Sequence, residues 1–587
     1  MNSIIMKRHI ISIFFLMALW TTLQAHQFTI DKNVQETFSG KKNNQNVTSL
    51  ILFFKTNQSI PTFLQSINSN SQISVEPLNF MPAVVLTCPK DPLILERISQ
   101  FPGIFSIALN KPAAEKIEIS PSTKKPRIQF RYPGIDKWWA HNFKGQSGVI
   151  GIIDSGIDAT HQAFLTKNII INKSKTSGYY SYPEGIRSPH GTGVACIYAG
   201  YPLDEDEHIR GVSYKAPVIL SALAGEGEKN IENFWITYSS LNWMFSLSPL
   251  KPTIINYSFG NGDVTCPSCP DWSGMSKVVD YIVNTHKILW VTSAGNNGYI
   301  SQRKTAPFVS TLTVAADNYN ALTVANMNMY VVDNENDTRK YNREKHVIRY
   351  SSSRGPTLLG RKKPDITAPG NDTYTCAPEK AYRLMGGTSA AAPHVGGAVV
   401  LVEEAGITNP MAIKALLINS ADSWTDSNKP GPDDPAYPYS GGHHPVNGSE
   451  WNPTYGWGYL NMEHAYNQRK HIISSKLTLK HPFIDYKMKL NALDKITLVH
   501  ERRVGFTNEG QPWKLSHLSL EVFDSKTQEL LASDASSIDT IHQVSLCSMQ
   551  KPKSCIPTDK REVIVRVSLL DNLLEGASQE EFSLAYS

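Results

Sequence analysis

The 587-residue sequence has few of the features that mark nucleic-acid-binding, membrane-spanning or repeat proteins. Lysine and arginine outnumber aspartate and glutamate by only 57 to 52, without an obvious basic block, so the charge pattern gives no case for binding nucleic acid. After the N-terminus there is no uncharged run of the ~18 residues that a membrane-spanning helix needs. Internal repeats and low-complexity tracts are also missing. With 41% hydrophobic residues, the chain is instead long enough to build several packed cores.

The N-terminal segment has the pattern of a secretory signal peptide over residues 1–25. Lys7 and Arg8 precede an apolar core from Ile10 to Trp20, and the small residue Ala25 suits a cleavage site. The core is too short to span a membrane. We therefore expect the mature protein to be exported, either secreted to the extracellular medium or periplasmic.

Export permits disulfides, so the seven cysteines matter. Cys266 and Cys269 form a single "CPSC", which indicates a local bridge or two free thiols rather than half a metal site, because there is no second C-x-x-C. Cys547 and Cys555 flank a polar loop whose length suits a disulfide across a hairpin. The remaining three lie in apolar segments and are predicted to be buried thiols: Cys88, Cys196 and Cys376.

Beyond the leader, the pattern predicts three domains: 26–125 including a linker, 126–470, and 471–587. The first has strand-like runs at 49–55, 83–88 and 104–109 and a helix that opens with Asp91 and Pro92, which indicates a small α+β domain. Prolines and charges over 110–133 are typical of an exposed linker. Short alternating segments after residue 471 indicate a β-sandwich-like domain.

The middle domain is predicted to be α/β with a parallel sheet. Its apolar runs are nearly unbroken, as expected of strands covered on both faces. They lie at 148–153, 218–223, 252–258, 287–295 and 311–316. Helical spacing between them, such as Phe234, Tyr238, Leu241 and Phe245, predicts crossover helices. A polar stretch over 326–348 reads as an insertion to which we assign no role.

The stretch "GGTSAAAPHVGGAVVLVEEAG", residues 386–406, places Ser389 among the smallest side chains. Because proline is tolerated only in about the first turn, Pro393 predicts a helix that begins close to Ser389, and Gly406 suits its end. The simplest interpretation is a helix-capping serine, and the alternative is a nucleophile. His394 lies about 140° round the helix from Ser389, so it is predicted to be a packed helix residue. A base would have to come from elsewhere.

Polar residues follow predicted strands or open predicted helices at three other positions. Asp154 ends the first strand of the sheet, His190 precedes a Gly-Thr-Gly turn, and Asn296 lies in the glycine-bounded turn "SAGNNG". Each alone is most simply a turn or surface residue. In an open parallel sheet, however, reactive groups collect at the carboxyl ends of strands.

Taken together, these motifs resemble those of the subtilisin-like serine peptidases. The matching segments occur in the family order over roughly residues 130–465, namely "IIDSGID", "HGTGVA", "SAGNNG" and "GTSAAAPHVGG", with "INYSFG" and "KPDITAPG" between them. The G-x-S-x-G elbow of α/β-hydrolases is absent. The resemblance implies a subtilisin-like parallel sheet flanked by helices.

The resemblance also implies roles for individual residues. Ser389 would be the nucleophile, His190 the base and Asp154 its orienting carboxylate. Asn296, with the backbone N–H of Ser389, would form the oxyanion hole. Along the cleft edge, Ser258, Phe259 and Gly260 would pair with an extended polypeptide substrate.

Some positions depart from the family pattern. Gly193 and Ala390 replace bulkier residues that are common beside the histidine and serine, so we expect a wider cleft. Ala163 stands where many relatives have a calcium-binding aspartate. We expect no metal or cofactor in catalysis, and a structural calcium ion is left open without assigned ligands.

The resemblance extends to an N-terminal inhibitory prodomain, which would occupy the cleft until the linker is cut. The alternative for this domain is a permanent accessory role. For the whole chain, the resemblance implies a secreted serine endopeptidase that acts through an acyl-enzyme intermediate and processes itself. The competing hypothesis is a secreted binding or adhesion protein that retains an inactive peptidase fold.

Overall fold

The computed structural model describes residues 29–39, 47–67, 72–111, 134–172, 188–202, 210–224, 236–260, 270–298, 310–328, 331–332, 340–341, 347–349, 351–371, 373–422, 451–505, 514–546, 560–571 and 577–587. The predicted leader, most of the linker and the Cys266–Cys269 and Cys547–Cys555 pairs lie outside these residues. Two compact units make up the chain, one of residues 1–110 with 504–513 and one of 111–503 with 514–587. None of the helices in the described ranges has the length and apolar character needed to cross a membrane.

The first unit is a small α+β domain, as predicted. Its sheet has the strand order β1-β5-β2-β4-β3. In chain order the elements are β1 Thr29–Ile30, α1 Lys32–Phe38, β2 Val47–Phe54, α2 Ser59–Ile67, β3 Ser74–Pro77, β4 Ala83–Pro89, α3 Pro92–Ser99 and β5 Ile104–Asn110. The Asp91 side chain caps α3 by accepting the Leu93 N–H at 2.9 Å. Cys88 is a buried free thiol, as expected, and burial raises its pKa to about 12.

The second unit contains the predicted parallel sheet, in the order β14-β11-β10-β9-β6-β8-β7 with β15 beside β11. Most neighbouring strands run parallel, and β14 is antiparallel to β11. Its elements up to the middle of the sheet are α4 Ile135–Ala140, β6 Val149–Asp154, a 3₁₀ turn Gln162–Phe164, β7 Asn168–Ile171, α5 Pro189–Ala199, β8 Val218–Leu223, α6 Ile236–Ser246, β9 Ile254–Tyr257, α7 Gly274–Tyr281, a π-helical turn Ile282–His286 and β10 Leu289–Ser293.

The later elements of this domain complete the sheet and cover it. They are β11 Leu322–Asn328, β12 Val331–Val332, β13 Lys340–Tyr341, β14 Val347–Ile348, β15 Ile366–Pro369, β16 Thr373–Ala377, β17 Ala381–Met385, α8 Thr388–Glu404, α9 Pro410–Ser420 and α10 Met462–Gln468. The polar insertion predicted over 326–348 therefore begins inside strand β11, whose residue Met327 pairs with Ile348 of β14.

One predicted strand, 311–316, is wrong. These residues are largely apolar and buried, but their backbone groups bond to loop segments and within a turn instead of in the sheet. Thr311 donates its N–H to Arg354 O at 2.8 Å, Thr313 to Ala294 O at 3.1 Å and Ala316 to Thr313 O at 2.7 Å. The strand lies further along the chain, at β11. The apolar run at 311–316 reflects burial of this segment and not a strand conformation.

The C-terminal residues form two four-stranded antiparallel sheets, in agreement with the predicted β-sandwich-like pattern. Their orders are β18-β25-β20-β23 and β19-β24-β21-β22. The strands are β18 Ile472–Leu477, β19 Phe483–Leu490, β20 Lys495–His500, β21 Leu518–Asp524, β22 Leu530–Ser536, β23 Ile541–Ser545, β24 Arg561–Leu569 and β25 Glu580–Tyr586. Alternate residues such as Val563, Val565 and Val567 of β24 are buried in the sandwich core.

The first of these sheets also packs against helix α9 of the same unit, so β20 is covered on both faces. Ile496 and Leu498 point into the sandwich core, whereas Val499 joins an apolar cluster with helix α9. On that second face the Thr497 hydroxyl donates to Asn419 Oδ1 at 2.9 Å. The shared cluster comprises Met411, Ala415, Ile418, Trp451, Trp457, Val499, Ile541 and Ala585.

Two fully buried histidines, His500 and His542, stack in this sandwich with ring centroids 5.7 Å apart. Burial lowers the pKa of both, that of His542 to about 3. The surrounding positive charges act in the same direction, Lys362 and His517 on His542 and Arg503 and His517 on His500. Both rings are therefore neutral in the folded protein well below the ~6.5 at which an exposed histidine titrates.

We predict that these histidines make the protein acid-sensitive. Below pH ~6.5 the unfolded chain binds protons that the folded chain excludes, so stability falls as the pH drops from ~6.5 towards 3, by up to about 1.4 kcal/mol per pH unit for each histidine. In a Ser389→Ala background, which removes the nucleophile that the family resemblance implies, His542→Gln should reduce this slope. Urea unfolding at pH 7.5, 6.5, 5.5 and 4.5 measures it. The exposed His481→Gln is the matched control, and equal slopes in both variants would contradict the prediction.

Candidate active site

Asp154 ends strand β6 and is almost completely buried, with 1% of its surface exposed. Its Oδ1 accepts the Ser155 N–H at 2.7 Å and the Ser155 hydroxyl at 3.1 Å. The same oxygen lies 2.8 Å from His190 Nδ1. A carboxylate held by these donors is fixed in one orientation towards the imidazole.

His190 lies in the first turn of α5, which Ser188 caps by accepting the His190 N–H at 3.2 Å. Pro189 occupies the first helical position, where its missing N–H costs nothing. The ring packs edge-on against Phe259, with centroids 5.8 Å apart. Because Nδ1 donates to Asp154, Nε2 is the nitrogen able to accept a proton.

Gly191 allows α5 to approach the end of β6. A Cβ at this position would clash with the Gly156 carbonyl and lie 3.0 Å from Asp154 Oδ1. The glycine is therefore required by the close contact between helix and strand, which brings His190 to Asp154.

Ser389 is the second residue of α8, close to the helix start predicted from Pro393. Its hydroxyl donates to the Ser258 carbonyl at 3.0 Å, and the Ser258 hydroxyl donates back to the Ser389 carbonyl at 3.0 Å. Phe259, the next residue, is the one that contacts His190. Ser389 and His190 thus both lie against the segment 258–259.

Asn296 follows β10 and faces the start of α8. Its side-chain oxygen accepts both the N–H and the hydroxyl of Thr388, each at 2.9 Å. The Thr388 hydroxyl also accepts the Gly295 N–H at 3.2 Å. With its oxygen occupied in this way, the amide presents Nδ2 as a donor. Thr388 and Ser155 support the site yet were missed by the sequence reasoning, although each is a hydroxyl residue adjacent to a proposed site residue.

A model of the subtilase family of peptidases matches residues 145–458, more than half of the chain. The chain belongs to this family. The parallel sheet flanked by helices is accordingly the subtilisin-like α/β fold expected from the motifs.

Individual relatives of this subtilase match over part of their length. Tripeptidyl-peptidase 2 of Drosophila melanogaster is 28% identical over 229 residues, which cover 37% of this chain and 14% of the relative. The major intracellular serine protease of Bacillus subtilis (strain 168) is 25% identical over 269 residues, 45% of this chain and 71% of the relative. Among solved structures, fervidolysin from Fervidobacterium pennivorans has 15% identity and a TM-score of 0.49, with 86% of each chain covered.

A hairpin of β16 and β17 lies against helix α5 in this subtilase and changes the expectation that Gly193 widens the cleft. The Thr375 hydroxyl donates to the Gly193 carbonyl at 2.7 Å, and a Cβ at Gly193 would meet Thr375 and Met385 at 3.0 and 3.1 Å. The space left by Gly193 is therefore filled by the hairpin rather than added to the cleft. Ala390 is fully buried in α8.

The cysteines Cys196 and Cys376, predicted to be separate buried thiols, are joined in a disulfide with their Cα atoms 5.7 Å apart. The bond links α5 to β16 across 180 residues of sequence. The pairing was not predictable from the sequence, because each cysteine lies in an apolar run and nothing local indicates a partner so distant in the chain.

His394 is a packed helix residue, as predicted. Its Nδ1 donates to the Ala390 carbonyl at 2.9 Å within α8. Burial lowers its pKa to about 4, so the ring is neutral at physiological pH. These contacts give it a role in the helix rather than in proton transfer.

Ala163, which stands at the position of a calcium ligand in many relatives, is fully buried, and its N–H donates to His161 Nδ1 at 3.1 Å. Within the ranges that the structure describes, no group of three or more histidine, cysteine, aspartate or glutamate side chains is arranged to hold a metal ion.

We predict that Gly191→Ala lowers kcat/KM at least about 100-fold, because an added Cβ pushes α5 from β6 and misplacing a catalytic group by ~1 Å costs about that much. Gly193→Ala is the matched control on the same helix. It should lose much less, since its Cβ would come closest to side-chain atoms of Thr375 and Met385, at 3.0 and 3.1 Å, whereas a Cβ at Gly191 would clash with the Gly156 backbone. Initial rates on a peptide substrate, with circular dichroism to verify folding, compare the two. Equal losses would contradict the assignment.

Proposed function

We propose that this subtilase is an exported serine endopeptidase whose triad is Asp154, His190 and Ser389. The observation that carries the proposal is the buried hydrogen bond of 2.8 Å between Asp154 and His190, beside a serine at a helix N-terminus. In this proposal Ser389 Oγ attacks a peptide carbonyl while His190 Nε2 takes its proton. The proton then passes to the leaving amine, and water releases the acyl group from Ser389.

The charge that develops on the carbonyl oxygen would be met by two donors. Asn296 Nδ2 is one, because Thr388 holds the amide oxygen in the opposite direction. The backbone N–H of Ser389 is the other, and the N-terminus of α8 adds favourable partial charge. Donors already in place need no reorganisation as the oxyanion forms, which favours the transition state over the bound substrate.

The substrate would lie along residues 258–260, which continue from β9 beside Ser389. Both Ser258 and Phe259 are buried, and a side chain at Gly260 would clash with Thr313. We propose that this segment contributes its backbone to an extended polypeptide substrate. Recognition through backbone pairing favours broad specificity.

Export is supported by the N-terminal pattern and by chemistry. Disulfides such as Cys196–Cys376 form and persist mainly in oxidising compartments. The small first domain is proposed to act as an intramolecular inhibitor that is removed after cleavage in the linker 110–133. No metal or other cofactor is required in the proposed reaction.

We predict that a serine-directed phosphonate labels the mature protein once, at Ser389. Ser389→Ala and His190→Gln should lose labelling and lower kcat by at least about 10⁴-fold, whereas Asn296→Leu should lower kcat by about 10²–10³-fold, the range known for such a donor in a subtilisin. The exposed His481→Gln serves as the control. Absence of labelling in folded, processed wild-type protein would favour the binding-protein alternative.

We also predict that Ser389 performs the chain's own maturation. Ser389→Ala should fold and accumulate as a chain about 100 residues longer than mature wild type, a length set by the domain boundary. Purified protein refolded in isolation avoids trimming by other peptidases, and mass spectrometry gives the chain length. Loss of the first domain from Ser389→Ala at the wild-type rate would exclude self-processing. If wild type keeps the domain while cleaving other proteins, the accessory-domain alternative is correct.

A further inference from the structure

The hairpin of β16 and β17 contacts both segments that carry the proposed base and its carboxylate. On the Asp154 side, the Glu379 N–H donates to Asp158 Oδ2 at 3.0 Å, and Gln162 Nε2 donates to the Tyr382 hydroxyl at 2.6 Å. Asp158 lies four residues beyond Asp154. The hairpin is thereby tied to the loop that follows β6.

On the His190 side, the hairpin contacts two successive turns of α5. Thr375 bonds to the Gly193 carbonyl, and Cys376 forms the disulfide with Cys196. Cys196 lies six residues after His190, on the same short helix. Any displacement of the hairpin relative to α5 therefore acts directly on the helix that carries the base.

On the serine side, β17 ends at Met385, and α8 begins three residues later with Ser389 in its first turn. The connection passes through Gly387, which has a φ of 96°, a conformation available mainly to glycine. Such a short connection transmits the position of the hairpin to the nucleophile.

The hairpin has little support of its own. Among the described residues, it forms a separate two-stranded sheet that does not pair with the main sheet. A two-stranded hairpin is at best marginally stable by itself. Apart from side-chain packing, the described ties are individual hydrogen bonds and one covalent bond, Cys196–Cys376, and only the covalent bond is insensitive to thermal fluctuation.

We propose that the Cys196–Cys376 disulfide positions His190 relative to Ser389, so that catalytic competence appears only after these two thiols are oxidised. The inference rests on the proposed peptidase function. Both cysteines are positioning residues, since neither touches a reacting atom. A chain folded in a reducing compartment would contain the same side chains without the disulfide and would have low activity.

The oxidation is a thiol–disulfide exchange with a small-molecule or protein disulfide. One protein thiolate attacks a sulfur of that disulfide and expels the first thiol, leaving a mixed disulfide. The second protein thiolate then attacks the protein sulfur of the mixed disulfide and expels the second thiol. Two electrons pass from the protein sulfurs to the oxidant, and the two thiol protons end on the released thiols.

Both sulfur-bearing residues are buried, Cys196 with 1% and Cys376 with 0% of its surface exposed. Thiols reach such a bond only when the hairpin opens. The disulfide therefore forms while the chain folds, and a mild reductant should leave the folded, oxidised enzyme active. Resistance to mild reductant distinguishes this buried disulfide from a reversible redox switch on the protein surface.

The test uses the full chain with its five other cysteines replaced by serine, refolded either with oxidised glutathione or with dithiothreitol. Folded protein from each is isolated by size-exclusion chromatography, and free thiols are alkylated. We expect a second-order rate of phosphonate labelling at least 10-fold lower in the dithiol form, with kcat reduced and KM changed less than 2-fold. A KM effect is not expected, because the hairpin lies apart from residues 258–260 in sequence and in its described contacts.

A Cys196→Ala, Cys376→Ala double variant of the same background gives the second measurement, and refolding it in both buffers controls for effects of the buffers. After refolding in either buffer, the double variant should match the dithiol form in its labelling rate and in its kcat. Equal labelling of the dithiol and disulfide forms would overturn the positioning role. So would failure to obtain any folded dithiol or double-variant protein, because the disulfide would then be needed for folding instead. If the disulfide form is folded but never labelled, the proposed function itself has failed.

Discussion

The buried contact between Asp154 and His190 is the constraint on which the arrangement of this subtilase depends. A carboxylate with 1% exposure is costly to bury without hydrogen bonds, and here Ser155 and His190 supply three of them to its Oδ1. The contact requires α5 to come close to the end of β6, which in turn requires glycine at position 191. The packing of α5 against β6, the glycine at position 191 and the orientation of the His190 imidazole therefore all follow from this one contact.

The C-terminal sheets belong structurally to the catalytic unit. Strand β20 has one face in the sandwich core and the other against α9, and buried strands of this kind have no solvent-facing side. Asn320 and Arg502 exchange two backbone–side-chain hydrogen bonds, of 2.8 and 2.7 Å, across the same junction. The sandwich therefore has an apolar core of its own and also shares a second apolar cluster with helix α9.

Much of the fold could be predicted where the signal is local. Pro393 and Gly406 marked the ends of α8, and Asp91 with Pro92 marked the start of α3, because capping and proline geometry depend on neighbouring residues. The positions of Asp154 and His190 at element ends followed from strand and helix patterns. Their mutual contact followed only from the family resemblance, because the periodicity of a sequence does not predict which residues 36 positions apart come together in space.

The failures have a common physical origin. Residues 311–316 are buried but do not form a strand. The apolar run therefore indicated that the segment is buried but did not indicate its backbone conformation. Cys196 and Cys376 are likewise buried, and their pairing depends on two elements brought together by the fold of the sheet between them. The hairpin that fills the space beside Gly193 was missed for the same reason. Each of these features is set by tertiary contacts.

The disulfide between α5 and β16 has a consequence for the survival of a chain that is exposed to peptidases, including copies of itself. The bond encloses the polypeptide from residue 196 to residue 376 in a covalent loop. A single cut anywhere inside this loop leaves the piece that holds Asp154 and His190 joined to the piece that holds Ser389. Such a nicked molecule keeps its two parts at fixed stoichiometry however dilute the medium becomes, and their reassembly stays independent of concentration.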